Sequence, residues 1–371
     1  MQKEEHNIAY CICTYNHPDV ILDVFERALH VYADCGIDVY VFDSSTNTST
    51  MEIVNQYMQD YSNLFYIRMD ENTTFDEKVY YLMEIYEYPY LYRYIWPIKD
   101  RIYVGEDMCR SIIDASMQGY DMIVCNVLYN EKYPPVHNAV DNIYGNASEF
   151  YGDYGWQLTS LDVAIYKMEN VRGIDKKGFI LESGWHSDCC FTHYMLAFYI
   201  LASLISPQIY IINGNVGEDW NNSNKCCSMW TNRTFEIWVK RWYEINCKLP
   251  HIYDDYKTRV LKSATSLPWI LGTQTRLAWM YQNGILNEHV LKEYKDLWGY
   301  ISDIPLSDVD MIVQNRFDEL GNVIIDRIIK YVEQNNIVKA VEVYTDNEWM
   351  GCTSQRERYV MLGRELKTLF L

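Results

Sequence analysis

Ile8-Ala9-Tyr10-Cys11-Ile12-Cys13 runs directly into Thr14-Tyr15-Asn16-His17-Pro18-Asp19. An apolar run that breaks into a polar, proline-bearing turn reads as a buried strand delivering its carboxyl end to a loop. A helix is expected next, because Ile21, Val24, Phe25, Ala28 and Tyr32 recur at helical spacing and Gly36 can terminate it. Val39-Tyr40-Val41-Phe42 is then a second strand, ending in Asp43-Ser44-Ser45-Thr46. Strand, helix, strand in this order is the unit of a parallel sheet. The pattern continues outward. Met51 to Met58 looks helical, Leu64 to Arg68 is a third strand, and Phe75 to Glu87 is a helix. Leu91 to Ile98 is a fourth strand that ends in Lys99-Asp100-Arg101. A helix over Glu106 to Met117 leads to a fifth strand, Asp121 to Tyr129.

Beyond residue 130 the regularity fades. Lys132 to Trp156 holds Pro134, Pro135, Gly145, Gly152 and Gly155 and reads as a long loop region, the kind that is usually functional. Met195 to Ile205 reads as a buried helix. After residue 230 helical periodicity takes over: Phe235, Trp238, Trp242 and Ile245; Ile324, Ile328 and Tyr331; Tyr359, Leu362, Leu366 and Leu369. The expected organisation is therefore an α/β domain over 1–230 and a helical region over 231–371. No internal repeat or low-complexity tract is present.

Composition narrows the function. The 371 residues are 49% apolar and 22% charged, enough to bury a sizeable core and too apolar for disorder. Acids outnumber Lys and Arg 51 to 32, a net charge of -19, so nothing global attracts nucleic acid or an anionic membrane. No run approaches the roughly 20 apolar residues of a membrane span. The polar start, Met1-Gln2-Lys3-Glu4-Glu5-His6, is unlike a secretory signal. With 11 cysteines, no C-x-x-C and adjacent pairs at Cys189/Cys190 and Cys226/Cys227, the expectation is a reducing cytoplasm and mostly buried, unpaired thiols. The 34 tyrosines are either surfaces for sugar and base stacking or compositional drift.

In an open parallel sheet, ligands gather outside the carboxyl ends of the strands. Four such ends carry polar groups here: Thr14-Tyr15-Asn16, Asp43-Ser44-Ser45, Arg68 and Lys99-Asp100-Arg101. No G-x-G-x-x-G or G-x-x-x-x-G-K-[ST] follows the first strand, which argues against a dinucleotide dehydrogenase or a P-loop enzyme. The histidines His17, His30, His137, His193, His251 and His289 are scattered without H-x-x-x-H or H-E-x-x-H spacing, so a histidine metal site is not expected. No G-x-S-x-G elbow supports serine hydrolysis.

These strand ends resemble the family-2 glycosyltransferases of the GT-A fold, in order and spacing over residues 1–220. The resemblance rests on Cys13-Thr14-Tyr15-Asn16, on Asp43 with its following Ser/Thr/Asn run, on Arg68, Asn72 and Lys78, and on Ile98-Lys99-Asp100-Arg101. It implies a nucleotide-diphospho-sugar transferase fold, a mostly parallel sheet flanked by helices. It also implies inverting transfer of a hexosyl or N-acetylhexosaminyl group, with UDP-sugar as the expected donor. The acceptor is then a hydroxyl of a glycan or glycoprotein, as in bacterial surface-glycan biosynthesis. Asp43 would accept the N3–H of uracil, Tyr15 beside Thr14 would line the base, and Arg68 and Lys78 would meet phosphates. Asp100 matches the later acid of the family's metal motif and would hold Mn or Mg. Lys99 and Arg101 stand where the family has acids, so they would contact the diphosphate themselves, with metal weakly bound or dispensable.

Each residue also has a plainer role available: Asp43 as a helix N-cap, Tyr15 as a loop tyrosine, Arg68 and Lys78 as solvated charges. A general base is expected in Glu182-Ser183-Gly184-Trp185-His186-Ser187-Asp188. There Asp188 matches the second acid of the family's pair and Ser187 replaces the first. Glu182 and His186 are rivals, N-capping of the next helix is the alternative for Asp188, and Trp185 could stack on a sugar. Glu218 or Asp219 could add a metal ligand or form a solvated acidic turn. The C-terminal tryptophans Trp238, Trp242, Trp269, Trp279, Trp298 and Trp349 suit packing of a helical lobe first, then an acceptor or homo-oligomer surface. Peripheral membrane contact through Lys240-Arg241-Trp242 comes last. The rival readings are a non-catalytic nucleotide-sugar-binding or scaffolding relative with a degraded metal motif, and a nucleotidylyltransferase, which would need a Gly-rich basic loop where Thr14-Tyr15-Asn16-His17-Pro18 stands.

Overall fold

The computed structural model describes residues 4–84, 89–125, 142–212, 220–222, 230–267, 270–347, 350 and 356–370. The chain forms two compact units. The first comprises Met1–Ser228 and Cys247–Lys257, the second Met229–Asn246 and Thr258–Leu371.

The first unit is built on an eight-stranded sheet. β1 (Glu5–Thr14) is buried from Ile8 to Thr14 on both faces, which is why its apolar run is continuous rather than alternating. α1 (Pro18–Asp34) opens on Pro18, whose fixed φ suits a first helical turn, and buries Val20, Ile21, Val24, Phe25, Ala28, Leu29 and Tyr32. Gly36, at φ 68, ends it in the left-handed region that an L side chain resists. β2 (Asp38–Asp43), α2 (Ser49–Tyr57), β3 (Leu64–Arg68), α3 (Phe75–Glu84) and β4 (Leu91–Lys99) follow, and β3-β2-β1-β4 are mutually parallel. The far half is mixed. After β5 (Ile102–Val104) and α4 (Glu106–Gln118), β6 (Met122–Cys125) lies beside β8 (Ala164–Lys167), which runs antiparallel to both β4 and β6. β9 (Ile209–Ile212) and β7 (Asn142–Tyr144) complete the order 3-2-1-4-8-6-9-7. β5 turns away and pairs with β10 (Trp220–Asn222).

The expected loop over 132–156 is corrected in part. Residues 142–144 are strand β7, and α5 (Ala147–Tyr154) is a helix, with the Asn146 side chain accepting from the backbone N–H of Ser148 at 2.8 Å and of Glu149 at 3.3 Å. The glycines suggested a loop, but Phe150, Tyr151 and Tyr154 bury the helix face, and Gly152 lies flat against the Tyr256 ring where no Cβ would fit. Residues 132–141 fall outside the described residues. α6 (Met168–Gly173), α7 (Lys176–Ser183) and α8 (Thr192–Ser203) come next, α8 being apolar all round and buried nearly along its length.

Many tyrosines serve neither stacking nor drift. Tyr10 donates to the Ile102 carbonyl at 3.0 Å, Tyr32 donates to Tyr10 at 3.1 Å, and the Val104 N–H donates to Tyr32 at 3.1 Å. This buried chain fastens β5 just beyond Asp100. At the opposite end of the sheet, Asp38 accepts from Tyr92, and Tyr40 and Tyr92 share a hydrogen bond of 2.9 Å. Buried hydroxyls that satisfy one another carry ring area into the core without leaving orphaned polar atoms. No disulfide joins cysteines among the described residues, and burial pushes Cys13 up to about 12.

The second unit is helical: α10 (Asp254–Thr265, from Thr258), α11 (Gln274–Gln282), α12 (Glu288–Ile301), α13 (Leu306–Val313), α14 (Phe317–Glu333), α15 (Ile337–Thr345) and α16 (Arg356–Phe370), preceded by α9 (Trp242–Lys248, up to Asn246). Trp242 donates to the Leu261 carbonyl at 3.1 Å and Trp298 to that of Ile304 at 2.7 Å, so both fully buried indoles pack inside this unit. Arg327 makes a two-pronged pair with buried Asp308 at 3.0 and 3.2 Å. Trp279 is exposed under the Arg276 guanidinium, and Trp269 and Trp349 lie outside the described residues. Among the described residues no helix is long and apolar enough to cross a membrane.

Candidate functional site

Parallel register brings the predicted residues to one edge. Thr14 sits opposite Asp43, Asp43 opposite Arg68, and Cys13 opposite Lys99, so Asp100 emerges next to Thr14. Two clusters form there.

The first surrounds Asp43, which is fully buried. Its carboxylate accepts from the Ser45 N–H at 2.8 Å, the Tyr66 hydroxyl at 2.8 Å and Arg68 Nη1 at 3.1 Å. Arg68 also donates to the carbonyls of Ser45 and Asn47. Asp43 is not the N-cap of α2, a position held by Thr48. A carboxylate with this set of donors organises the Ser45–Asn47 loop, and a base N–H could reach it only if Tyr66 or Arg68 gave way. Asn16, at φ 56, binds the same loop from the other side: its N–H donates to Ser45 Oγ at 2.7 Å and its Oδ1 accepts from Thr46 N at 2.9 Å. Tyr15, just before it, is 39% exposed at the edge. An open cavity of about 500 Å³ lies beside β3, lined by Arg68, Met69, Asn72, Thr73, Glu77 and Tyr81.

The second cluster surrounds Asp100. Thr14 Oγ1 donates to Asp100 Oδ2 at 3.0 Å, and His17 Nδ1 lies 2.8 Å from the same oxygen. The hydrogen bond to Asp100 holds the His17 pKa above its ordinary value. Sequence spacing missed His17, because its partner lies in β4's turn rather than at a helical interval. Lys78 is buried and donates to the Thr14 carbonyl. Burial lowers its pKa, against the pull of the Asp43 and Asp100 charges. Arg101 follows Asp100, and its charge opposes protonation of His17.

Lys99 lies differently from the expectation that it contacts diphosphate. Its ammonium pairs with the buried Asp162 at 2.8 Å and donates to Ser160 Oγ at 2.8 Å. Lys99 is the last residue of β4 and Asp100 lies in the turn after it, and the two engage different partners, Asp162 and Thr14.

The expected base region is a turn between α7 and α8. Asp188 and Glu182 are both exposed, as is His186, whose Nδ1 accepts from the Asp188 N–H at 3.2 Å. Asp188 does not cap α8; Asp76 does, from α3, and sequence reasoning could not see a partner so distant along the chain. The Trp185 ring lies tilted at 31° against Tyr80, 4.7 Å between centroids, and its indole donates to Thr192 Oγ1 at 2.8 Å, so the ring is already engaged within the protein.

A divalent ion has limited protein support. Among the described residues no group of three or more His, Cys, Asp or Glu side chains could hold a metal, and Glu218 and Asp219 lie outside them. One carboxylate at a phosphate edge still fits an ion of the magnesium type, which takes one or two carboxylates and the rest of its ligands from substrate phosphates and water. Asp100 would be that carboxylate.

This sheet, with its polar edge outside β1 to β4, has the GT-A fold. Residues 10–132 match the family described as glycosyl transferase family 2. That match spans 123 of the 371 residues, so the chain carries a domain of that family. The crystal structure of Staphylococcus aureus TarS 1-349 shares the fold at 10% identity, over 94% of this chain and 92% of that one, with a TM-score of 0.53. The same protein in complex with UDP aligns at 11% identity over the same shares, with a TM-score of 0.50. No curated protein matches the sequence.

Proposed function

We propose that the chain is an inverting glycosyltransferase that moves a hexosyl or N-acetylhexosaminyl group from a UDP-sugar to a hydroxyl of a glycan or glycoprotein. The observation that carries the reading is the in-register edge Thr14, Asp43 and Arg68, with Lys78 and Asp100 directly behind and beside it. A UDP complex among proteins of the same fold supports the choice of uridine. In this reading Tyr15 stacks on the base, while Arg68 and Asp43 shape the loop against which the base lies. Lys78 and Arg101 face the diphosphate as cations. A bound Mn or Mg would supply further positive charge at the departing diphosphate, held by Asp100 with Glu218 as a second candidate ligand. Asp188 takes the proton of the acceptor hydroxyl, and Glu182 is the alternative base. The region 1–230 is then the catalytic part and 231–371 the place for acceptor binding or self-association.

A panel of UDP, GDP, CDP and dTDP, each with and without manganese, read by melting temperature, tests the donor. A ligand of the folded state raises the midpoint by mass action. UDP should stabilise more than the others, and manganese should add to it. No shift from any nucleotide at millimolar concentration refutes the reading in favour of a scaffolding relative. UDP release from UDP-glucose and UDP-N-acetylglucosamine then assigns the base: Asp188→Asn should lower turnover about 100-fold or more, with Glu182→Gln close to the parent. The reverse result moves the base to Glu182.

A further inference from the structure

Asp76, the second residue of α3, is buried and gathers the turn that bears Asp188. Its Oδ2 accepts from the Cys190 N–H at 2.7 Å. Its Oδ1 accepts from the Thr192 N–H at 3.1 Å and the Thr192 hydroxyl at 2.6 Å, with Cys189 Sγ at 3.3 Å. The first N–H groups of a helix have no partner within it, and no side chain at the α8 N-cap, Phe191, supplies one. A carboxylate from another helix therefore does so. It also holds Cys190 at φ 69, a conformation an L side chain adopts only when its surroundings impose it. Asp188 stands two residues earlier.

The same helix reaches the opposite way. Lys78, two residues beyond Asp76, donates to the Thr14 carbonyl, and Thr14 donates to Asp100 at 3.0 Å. α3 thus touches the phosphate edge with one residue and the expected base turn with another. We propose that Asp76 is a positioning residue for transfer: its hydrogen bonds to Cys190 and Thr192 fix the Asp188 turn in register with the diphosphate edge. Its loss then slows proton removal without loosening the nucleotide. The inference rests on the assignment of Asp188 as base.

The test uses the full chain, with UDP binding by calorimetry and UDP release from UDP-glucose and UDP-N-acetylglucosamine, read below each variant's melting temperature. Asp76→Asn keeps the shape but presents an amide N–H to donors. Where Asp76→Ala fails to fold, Thr192→Val removes the hydroxyl's bond to Asp76, together with its bonds to Trp185 and Cys189, and leaves the carboxylate. The first control is the parent against Asp188→Asn: no release by the parent, or an undiminished rate in Asp188→Asn, sinks the base assignment, and this inference with it. Once that control holds, Asp76→Asn should lower kcat about 10- to 100-fold, the range expected for a small misplacement, and Thr192→Val should lower it less. UDP affinity should stay within about two-fold, and in the Asp188→Asn background the further loss should also be under about two-fold, because both act on one step. Parental kcat in Asp76→Asn, a fall in UDP affinity matching the fall in kcat, or effects that multiply would each overturn the proposal while leaving Asp188 as base.

Discussion

Arg68→Met removes the only cation in hydrogen-bond contact with Asp43 among the described residues. Asp43 has no exposed surface and would keep two neutral donors, Ser45 N and Tyr66 Oη, each at 2.8 Å. Removing one partner of a fully buried ion pair costs roughly 3–5 kcal/mol. The Arg68 side chain is 39% exposed, so solvent screens part of this, and about 2 kcal/mol is the expected cost. For a unit of this size that is a fall of about 4–8 °C in melting temperature. Arg68→Lys should resemble Arg68→Met more than the parent, because an ammonium cannot span the Asp43 carboxylate and the Ser45 and Asn47 carbonyls together. Adding Asp43→Asn removes the uncompensated charge, so the double variant should lose less than the sum of the singles. Scanning calorimetry of the parent, the singles and the double closes the cycle. An Arg68→Met midpoint within about 1 °C of the parent, or an unchanged cost in the Asp43→Asn background, would refute this account of the Asp43 cluster.

Two further outcomes are expected. Lys78→Met should weaken UDP binding about 10- to 100-fold, the loss of one charge-assisted contact; an unchanged isotherm would remove Lys78 from the phosphate edge. His193 is buried, with 2% of its surface exposed, and has its pKa pulled from 6.5 to about 4 by desolvation. Between those values the unfolded chain binds the extra proton, so stability rises with pH across that window and falls on acidification by roughly 3 kcal/mol. His193→Gln should flatten the slope of urea midpoints against pH, and parallel slopes for parent and variant would rule the mechanism out.

The near half of the sheet was legible because its strands are doubly buried and its helices amphipathic. The apolar runs at Ile8–Cys13, Val39–Phe42 and Leu64–Arg68 fall within strands of the structure, and the helix expected from Glu106 begins there. The far half was harder. β8 is a four-residue strand, too short for a period to declare itself, and it alone turns the sheet antiparallel beside β4. The Asn146 cap was readable from a side chain that suits that role, but Gly152 within α5 and Gly145 and Gly155 beside it masked it. At the site, sequence order predicted which strand ends would meet, since register follows from topology. It could not predict that Lys99 faces Asp162, that His17 reaches Asp100, or that Asp76 supplies the cap of α8. Those depend on pairs 63, 83 and more than 110 residues apart.

The first unit is not one uninterrupted stretch of chain. Cys247–Lys257 returns to it, so the polypeptide passes between the units three times. The returning segment brings Tyr253, wholly buried, whose ring lies 4.8 Å from Tyr151 and 5.3 Å from Phe198 and whose hydroxyl donates to the Phe198 carbonyl at 2.8 Å. A gene fragment stopped at Ser228 would therefore encode a sheet with a ring-sized hole beside α8. Recombination that exchanges the helical unit between relatives has to join the chain at three seams, and a swap at a single crossover would carry away part of the other unit's core.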